Sequence, residues 1–235
     1  MLDIHSHFLP KMDDGSKSTE MSMEMLRESR RQGVTTMVST SHFYGDSEPP
    51  ERFLMRRQHA YEKLLPLLSD SEPEILLGAE VFYYPGISHS DSVPQLSIQG
   101  TDLILIEMPF IPWSDRIFDE LISMQYNTGL QIVLAHVERY QSIQKKAVFE
   151  SLFDQPFYFQ CNASVFSSFR SRHLAMRMIK NGQLHFLGTD CHNTDKRSPD
   201  MKNAKAIVEK KLSPAAWKKL TREFEERFDR HRISY

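Results

Sequence analysis

Two hydrophobic rhythms alternate along this chain: short β-branched or aliphatic runs, and longer stretches whose apolar residues recur every three or four positions. Residues 1–4 are a brief apolar run that stops at His5. Residues 17–32 set Met21, Met25, Leu26 and Ser29 at helical spacing, and Gly33 stands where a helix terminator belongs. The run at 34–40 (VTTMVST) is strand-like and stops at His42. Residues 52–68 predict a second helix, charged outside, with Leu54, Tyr61, Leu64, Leu65 and Leu68 inside.

The alternation continues. Residues 74–82 (EILLGAEVF) predict a strand ending near Glu80, and 102–106 (DLILI) one ending at Glu107. Residues 115–127 read as a helix closed by Gly129, and 131–135 (QIVLA) as a strand running into His136. Helices are expected at 142–153 and at 167–181, the latter closed by Gly182. Strands are expected at 157–161 and at 184–188 (LHFLG), the last running into Asp190. The tail predicts two helices, 199–212 and 214–232, each with Pro near its first turn. About seven strands interleaved with helices are the signature of βα units around a parallel sheet, hence an α/β fold. The Pro and Ser residues at 47–50 and 87–94 read as loops within that rhythm, and no repeat or low-complexity tract interrupts it. The expectation is one domain over residues 1–235.

Composition narrows the class. At 235 residues, with 40% hydrophobic and 11% aromatic residues, the chain can build a core, which excludes intrinsic disorder. Lys+Arg of 29 against Asp+Glu of 31 excludes a general nucleic-acid binder, which needs a basic surface. Cys161 and Cys191 are thirty residues apart, which is neither a disulfide framework nor a zinc ribbon, and points to a reducing compartment. The N-terminus MLDIHSHFLP lacks the basic and apolar regions of a secretory signal. The longest apolar stretches, 103–113 and 132–137, are broken by Glu107 and His136, so no membrane insertion is expected and a cytoplasmic location is.

The chemistry lies in where the runs stop. Nearly every expected strand ends in His, Asp or Glu: His5 and His7, His42, Glu80, Glu107, His136, then Asp190 and His192. Five of the ten histidines hold these positions. In a closed parallel barrel the C-terminal strand ends surround one point, so residues distant in sequence converge there. His and carboxylate together ligate borderline and hard divalent ions without needing thiolate. His5-Ser6-His7 puts both imidazoles on one side of an extended segment, and Asp190-Cys191-His192 repeats that spacing. One such residue alone would be an ordinary polar strand end; two pairs plus Asp14, His42, Glu80, Glu107 and His136 point to metal binding. Cys191, between two candidate ligands, lacks the glycines of a phosphate-cradling thiolate loop and reads as a packed neighbour. Phe8, Phe43, Tyr44, Phe110 and Trp113 lie near these ends, as loop packing or as a rim for an aromatic phosphoester. The charged stretch 218–232, with Leu220, Phe224 and Phe228 at helical spacing, reads as a solvated amphipathic helix.

These residues also carry a resemblance. His5-Ser6-His7-Phe8-Leu9-Pro10, followed by Asp13-Asp14-Gly15, resembles the opening motif of the PHP (polymerase and histidinol phosphatase) family. More narrowly, it is similar to the bacterial metal-dependent tyrosine-protein phosphatases of capsule and exopolysaccharide loci. Ser39-Thr40-Ser41-His42, Gly78-Ala79-Glu80, Ile106-Glu107, Ala135-His136-Val137-Glu138-Arg139-Tyr140 and Gly188-Thr189-Asp190-Cys191-His192-Asn193 match successive motifs in order, and Arg197 falls where such proteins keep an arginine. Lys11 stands where a small residue is common, and Cys161-Asn162 replaces a more usual Gln/Ile-Asn; neither removes a ligand.

The resemblance, from Met1 to about Leu212, implies a distorted (β/α)7 TIM-like barrel of the PHP type holding three divalent metal ions. Manganese is foremost, with iron, zinc, cobalt or magnesium also acceptable. His5, His7, Glu80 and Asp190 would hold the first ion, and a bridging Glu80 with Glu107 and His136 the second. Asp14, His42 and His192 would hold the third, while Arg139 and Arg197 bind phosphate. The implied activity is hydrolysis of phosphotyrosine by attack of a metal-bound hydroxide. The implied substrate is a bacterial tyrosine autokinase, itself membrane-associated, that controls capsular or exopolysaccharide synthesis. The alternative within the resemblance is a small-molecule phosphomonoesterase of the histidinol-phosphatase type. A decayed, purely binding barrel would have lost a ligand, and none is missing.

Overall fold

The computed structural model describes residues 1–233. Nine strands run parallel throughout: β1 (Leu2–Ser6), β2 (Thr36–Ser39), β3 (His42–Tyr44), β4 (Glu74–Leu77), β5 (Glu80–Phe82), β6 (Leu103–Glu107), β7 (Gln131–Leu134), β8 (Tyr158–Asn162) and β9 (Phe186–Gly188). Between and after them lie α1 (Thr19–Arg31), α2 (Pro50–Glu62), α3 (Asp115–Thr128), α4 (Lys146–Ser151), α5 (Phe169–Lys180), α6 (Met201–Lys211) and α7 (Pro214–Ile233).

Nine strands replace the expected seven because two of the seven are bent. The second breaks at Thr40-Ser41 into β2 and β3, and the third at Gly78-Ala79 into β4 and β5. Their first halves join β1 in a three-stranded sheet, β1-β2-β4, while their second halves begin the six-stranded sheet β3-β5-β6-β7-β8-β9. No continuous ladder closes the ring. The seam between β9 and β1 is crossed instead by bonds from just past the strand ends: Asp190 N to His5 O at 2.7 Å and His7 N to Cys191 O at 2.9 Å. Gly188 makes that approach possible, since a Cβ there would lie 2.4 Å from His5 Cβ. The architecture is a distorted parallel α/β barrel.

Strand alternation divides the apolar residues into two layers. Leu2, Ile4, Val38, Leu76, Leu103, Leu105, Val133, Ala135 and Phe186 form an inner cluster with Ile98 and Phe224. Met37, Leu77, Ile104, Ile106, Ile132, Leu134 and Leu187 face outward and pack with Met25, Leu26, Leu121 and Met178 of the surrounding helices. Helix α7 closes the base: Phe224 enters the inner cluster, and Arg227 bonds Asp102 Oδ2 and Tyr158 Oη, each at 2.5 Å. The C-terminal stretch is therefore docked along its apolar face rather than wholly solvated.

Two expected helices come out shorter. Helix α2 ends at Glu62, and Leu65–Leu67 form a separate 3₁₀ turn around Pro66, which cannot continue a helix. Leu65, expected inside, is consequently 47% exposed, and Phe53 and Ala60 are the residues α2 buries. The stretch 142–153 divides into α4 and 3₁₀ turns at Val137–Ser142 and Leu152–Asp154. No described helix is long and apolar enough to cross a membrane.

Candidate metal centre

The candidate ligands sit at the strand ends or in the loops just past them, and alternation places only some of them. Leu103, Leu105 and Glu107 share one face of β6, so the row that is apolar at the base becomes acidic at the mouth. Phe186 and Gly188 share one face of β9, and Asp190, two residues past that strand with its own backbone left-handed at φ 53°, enters the mouth from the loop. Two strands need a correction of one residue. In β1, Leu2 and Ile4 are inner residues, yet His5 and His7 reach the mouth; the pairing with β2 shifts register between Asp3 and Ser6. After β7, Val133 and Ala135 point inward and His136 would point out, but its backbone is left-handed at φ 32°, which returns the imidazole to the centre. A left-handed histidine is unfavourable unless its surroundings hold it there.

All nine candidate ligands meet at this mouth. Glu80 is central: its Oε1 lies 2.9 Å from His136 Nε2, and its Oε2 lies 2.9 Å from His42 Nδ1, 3.2 Å from His5 Nε2 and 3.3 Å from His7 Nε2. Glu107 Oε1 is 3.2 Å from His136 Nε2. Asp190 Oδ1 is 3.6 Å from His5 Nε2 and 3.5 Å from His7 Nε2. Asp14, the exposed member, sets Oδ1 3.1 Å from His192 Nε2 and 3.4 Å from His42 Nε2. Three compact groups emerge: His5, His7 and Asp190; His42, Glu80 and Glu107; and His7, Asp14, His42 and His192. They differ from the expected sets: Glu80 falls outside the first group, His42 stands in the place expected of His136 beside Glu80 and Glu107, and His7 joins the third.

These residues fit metal ions by a hydrogen-bond criterion. His7 Nδ1 faces Asp13 Oδ2 at 2.8 Å and His192 Nδ1 faces the Asp190 carbonyl at 3.0 Å, so both Nδ1 atoms carry a proton and both Nε2 atoms face the cluster, where a bound ion would take their lone pairs. The Nε2 atoms of His5 and His7 stand 3.2 Å apart, a spacing that suits two donors to one ion. Glu80 Oε2, His42 Nδ1, His136 Nδ1 and His192 Nε2 are buried without an aligned hydrogen-bond partner among the described residues. Glu80 Oε2 and His42 Nδ1 are near enough to bond but misdirected. Donor atoms about 2.0–2.2 Å from a shared ion stand roughly this far from one another. The donor set is nitrogen and oxygen only, suited to manganese, iron, zinc or cobalt.

The electrostatics say the same. Burial lowers the His7 pKa, but Asp13 and then Glu80 outweigh it and carry it up to about 10. Burial likewise opposes His136, which Glu107 and Glu80 raise to about 9. Burial would raise Glu80, yet His5, His136 and His42 hold it well below the usual carboxylate range. Converging carboxylates demand cations, and in their absence protons on histidine meet that demand.

Arg139, in the 3₁₀ turn after β7, sets Nη2 2.5 Å from Asp190 Oδ2, and Arg197 sets Nη2 2.7 Å from Asp190 Oδ1. Arg197 Nη1 also lies 3.6 Å from Asp14 Oδ2. Each arginine side chain is 39% exposed, with donors left over at the edge of the cluster. Cys191 is fully buried and its thiol pKa is pushed up by that burial, unlike a nucleophilic cysteine. Phe8 and Phe43 are wholly buried and Trp113 nearly so, whereas Tyr44 and Phe110 are half-exposed over the histidines: Phe110 stacks on His136 at 5.9 Å, and Tyr44 lies 5.5 Å from His42.

Sequence reasoning missed three residues that hold the ligands. Asp13 accepts from His42 N at 3.0 Å as well as orienting His7, and its place beside Asp14 was the available signal. Both Gln160 and Asn162 sit in β8 among buried neighbours; Gln160 leaves no sequence signal, and Asn162 is marked only as a position of the resemblance, without a role.

The chain's relatives bear on this geometry. Residues 1–228 match the family model described as "Capsular polysaccharide synthesis, CpsB/CapC". The tyrosine-protein phosphatase CpsB of Streptococcus pneumoniae is 33% identical over 237 residues, covering 94% of each chain. CpsB of Streptococcus agalactiae serotype III (strain NEM316) is 31% identical over 224 residues, covering 88% of this chain and 89% of the relative. Among solved structures, one from a study of YwqE from Bacillus subtilis and CpsB from Streptococcus pneumoniae, described as unique metal-dependent tyrosine phosphatases, superposes with a TM-score of 0.84. It is 25% identical and covers 97% of this chain and 94% of its own. With the match spanning nearly every element of the barrel and every residue of its mouth, the chain belongs to the CpsB/CapC family of capsular polysaccharide synthesis.

Proposed function

We propose that this protein is a metal-dependent protein-tyrosine phosphatase that works with manganese and acts on a bacterial tyrosine kinase governing capsule or exopolysaccharide synthesis. The observation that carries the reading is the cluster around Glu80, where Glu80 Oε2 and ring nitrogens of His42, His136 and His192 are buried without an aligned hydrogen-bond partner beside two half-exposed arginines. In this reading His5, His7, Glu80 and Asp190 hold one ion; Glu80, Glu107 and His136 a second; Asp14, His42 and His192 a third. Bound divalent ions supply charge neutralisation for the phosphoryl group and lower the pKa of water.

The chain's own residues do the rest. Arg139 and Arg197 each keep guanidinium donors for phosphate oxygens, in a planar array that a lysine cannot offer. Asp190, which both arginines touch, fixes where those donors point. The half-exposed rings of Phe110 and Tyr44 offer faces for a substrate ring. A tyrosine leaving group, with a parent pKa of about 10, needs less proton donation than an alkoxide, so no separate acid is required. A cytoplasmic setting agrees with two buried free cysteines.

Turnover of a tyrosine phosphopeptide, a serine phosphopeptide and histidinol phosphate, each with added Mn²⁺, tests the substrate class. The expected order puts the tyrosine phosphopeptide first by kcat/KM. Faster hydrolysis of histidinol phosphate would move the protein to small-molecule phosphatase chemistry.

A further inference from the structure

Of the strands that ring the mouth, β8 supplies none of the nine candidate ligands. Two of its residues nevertheless touch three of them. Gln160 is fully buried, and its Oε1 accepts from His136 N at 2.7 Å and faces His5 Nδ1 at 3.2 Å. Its Nε2 donates to Asn162 Oδ1 at 3.0 Å, and Asn162 Nδ2 donates to Asp190 Oδ2 at 2.8 Å. The orientations are forced from both ends. A backbone N–H only donates, so the Gln160 atom facing His136 is oxygen; a carboxylate only accepts, so the Asn162 atom facing Asp190 is nitrogen. The two assignments agree at the central amide–amide bond. With that oxygen as its partner, His5 Nδ1 carries the proton, and its Nε2 lone pair points at Glu80 and His7. The same bond to His136 N anchors the left-handed backbone that turns this imidazole inward.

We infer that Gln160 and Asn162 form a relay that positions His5, His136 and Asp190 as one unit, coupling two metal positions directly and reaching the third only through Asp190. The inference rests on the metal-centre reading above. His5 and Asp190 belong to one proposed position and His136 to the next, so disturbing Gln160 disturbs both. Neither amide bonds Asp14, His42 or His192. Gln160 and Asn162 are positioning residues: they act through the ligands and touch no substrate.

The test is metal content and affinity, independent of turnover. Wild type, Gln160→Leu, Gln160→Glu and Asn162→Ala are dialysed against metal-free buffer and titrated with Mn²⁺ by calorimetry, with elemental analysis and a melting curve for each. Wild type should take up three ions. Gln160→Leu should bind two of them about 10- to 100-fold more weakly, the range for loss of a group that orients ligands, and weaken the third distinctly less. Gln160→Glu retains the accepting oxygen and should bind more tightly than Gln160→Leu. Asn162→Ala, acting through Asp190 alone, should weaken binding less than Gln160→Leu, and it decides the matter if Gln160→Leu does not fold. Unchanged affinities in Gln160→Leu, or an equal weakening of all three ions, would overturn the relay. A wild type that binds no Mn²⁺ would instead remove the metal-centre reading beneath it.

Discussion

On β6 the base and the mouth of the barrel are one alternation apart: Leu105 packs with Val133, Ala135 and Phe186, and Glu107, two residues on, faces His136. The base is an apolar interior sealed by Phe224, of the kind that stabilises a fold by removing hydrocarbon from water. The mouth gathers imidazoles and carboxylates that desolvation penalises, and only cations or protons reconcile them. Equally buried, the two ends of the same strands thus have different work: one holds the barrel, the other stores unfavourable charge for a ligand. Substitutions should separate the two cleanly.

The largest effect is expected at Glu80, which touches four imidazoles. Glu80→Gln should lower kcat/KM on a tyrosine phosphopeptide by about 1,000-fold, roughly 4 kcal/mol, and reduce Mn²⁺ uptake. The melting temperature of the metal-free protein should fall only modestly, because Glu80 is then the partner of protonated imidazoles and the apolar base is untouched. A large loss of metal-free stability would mean that the mouth, too, is structural.

Phe224→Ala tests the base. Emptying that site should destabilise the protein by about 3 kcal/mol in denaturant titration, while kcat per folded molecule and metal content stay at wild-type values. Loss of metal in this variant would show that the two ends are not separable.

Arg139→Ala should cost about 2 kcal/mol in transition-state binding, or about 30-fold in kcat/KM, with metal content retained. Unchanged kinetics would place Arg139 with Asp190 as a charge pair alone.

The smallest effect concerns acids that lack the mouth's cations. Burial, then the neighbouring Asp3, raises the Asp200 pKa to about 6 from an ordinary 3.8. A raised carboxyl favours folding while protonated and costs stability as pH climbs from 3.8 through 6, because the folded state then gives up protons it holds more tightly. Asp200→Asn should therefore add about 1 kcal/mol at pH 7.5, discounted for partial exposure, and nothing at pH 3.5. A gain that is independent of pH would point to a helix-capping effect instead.

How far the sequence reveals this division depends on side-chain spacing. Glu107 is legible because β6 runs straight and a period of two carries the apolar row into the ligand, whereas Asp190 is legible only as the acid just past the last apolar run, since its backbone turns left-handed. The resemblance likewise reaches His136, whose left-handed turn leaves no mark in periodicity. The bend at Gly78 is hidden, since EILLGAEVF reads as one strand whether or not it changes sheet. The exposure of Leu65 follows from Pro66 one residue later, a local stop overridden by the apolar pattern in the 52–68 reading. The roles of Gln160 and Asn162 are the least legible: they lie in bonds to His5 on β1 and to His136 and Asp190 just past β7 and β9, and pairing of that range leaves no local trace.

The central claim, that the mouth is a metal centre and its chemistry depends on metal, is tested most directly by stripping and restoring the ions. The protein is treated with a strong chelator until elemental analysis finds no divalent metal, then assayed on a tyrosine phosphopeptide before and after adding Mn²⁺. The account predicts that hydrolysis disappears on stripping and returns with Mn²⁺. Full turnover by demonstrably metal-free protein would contradict it.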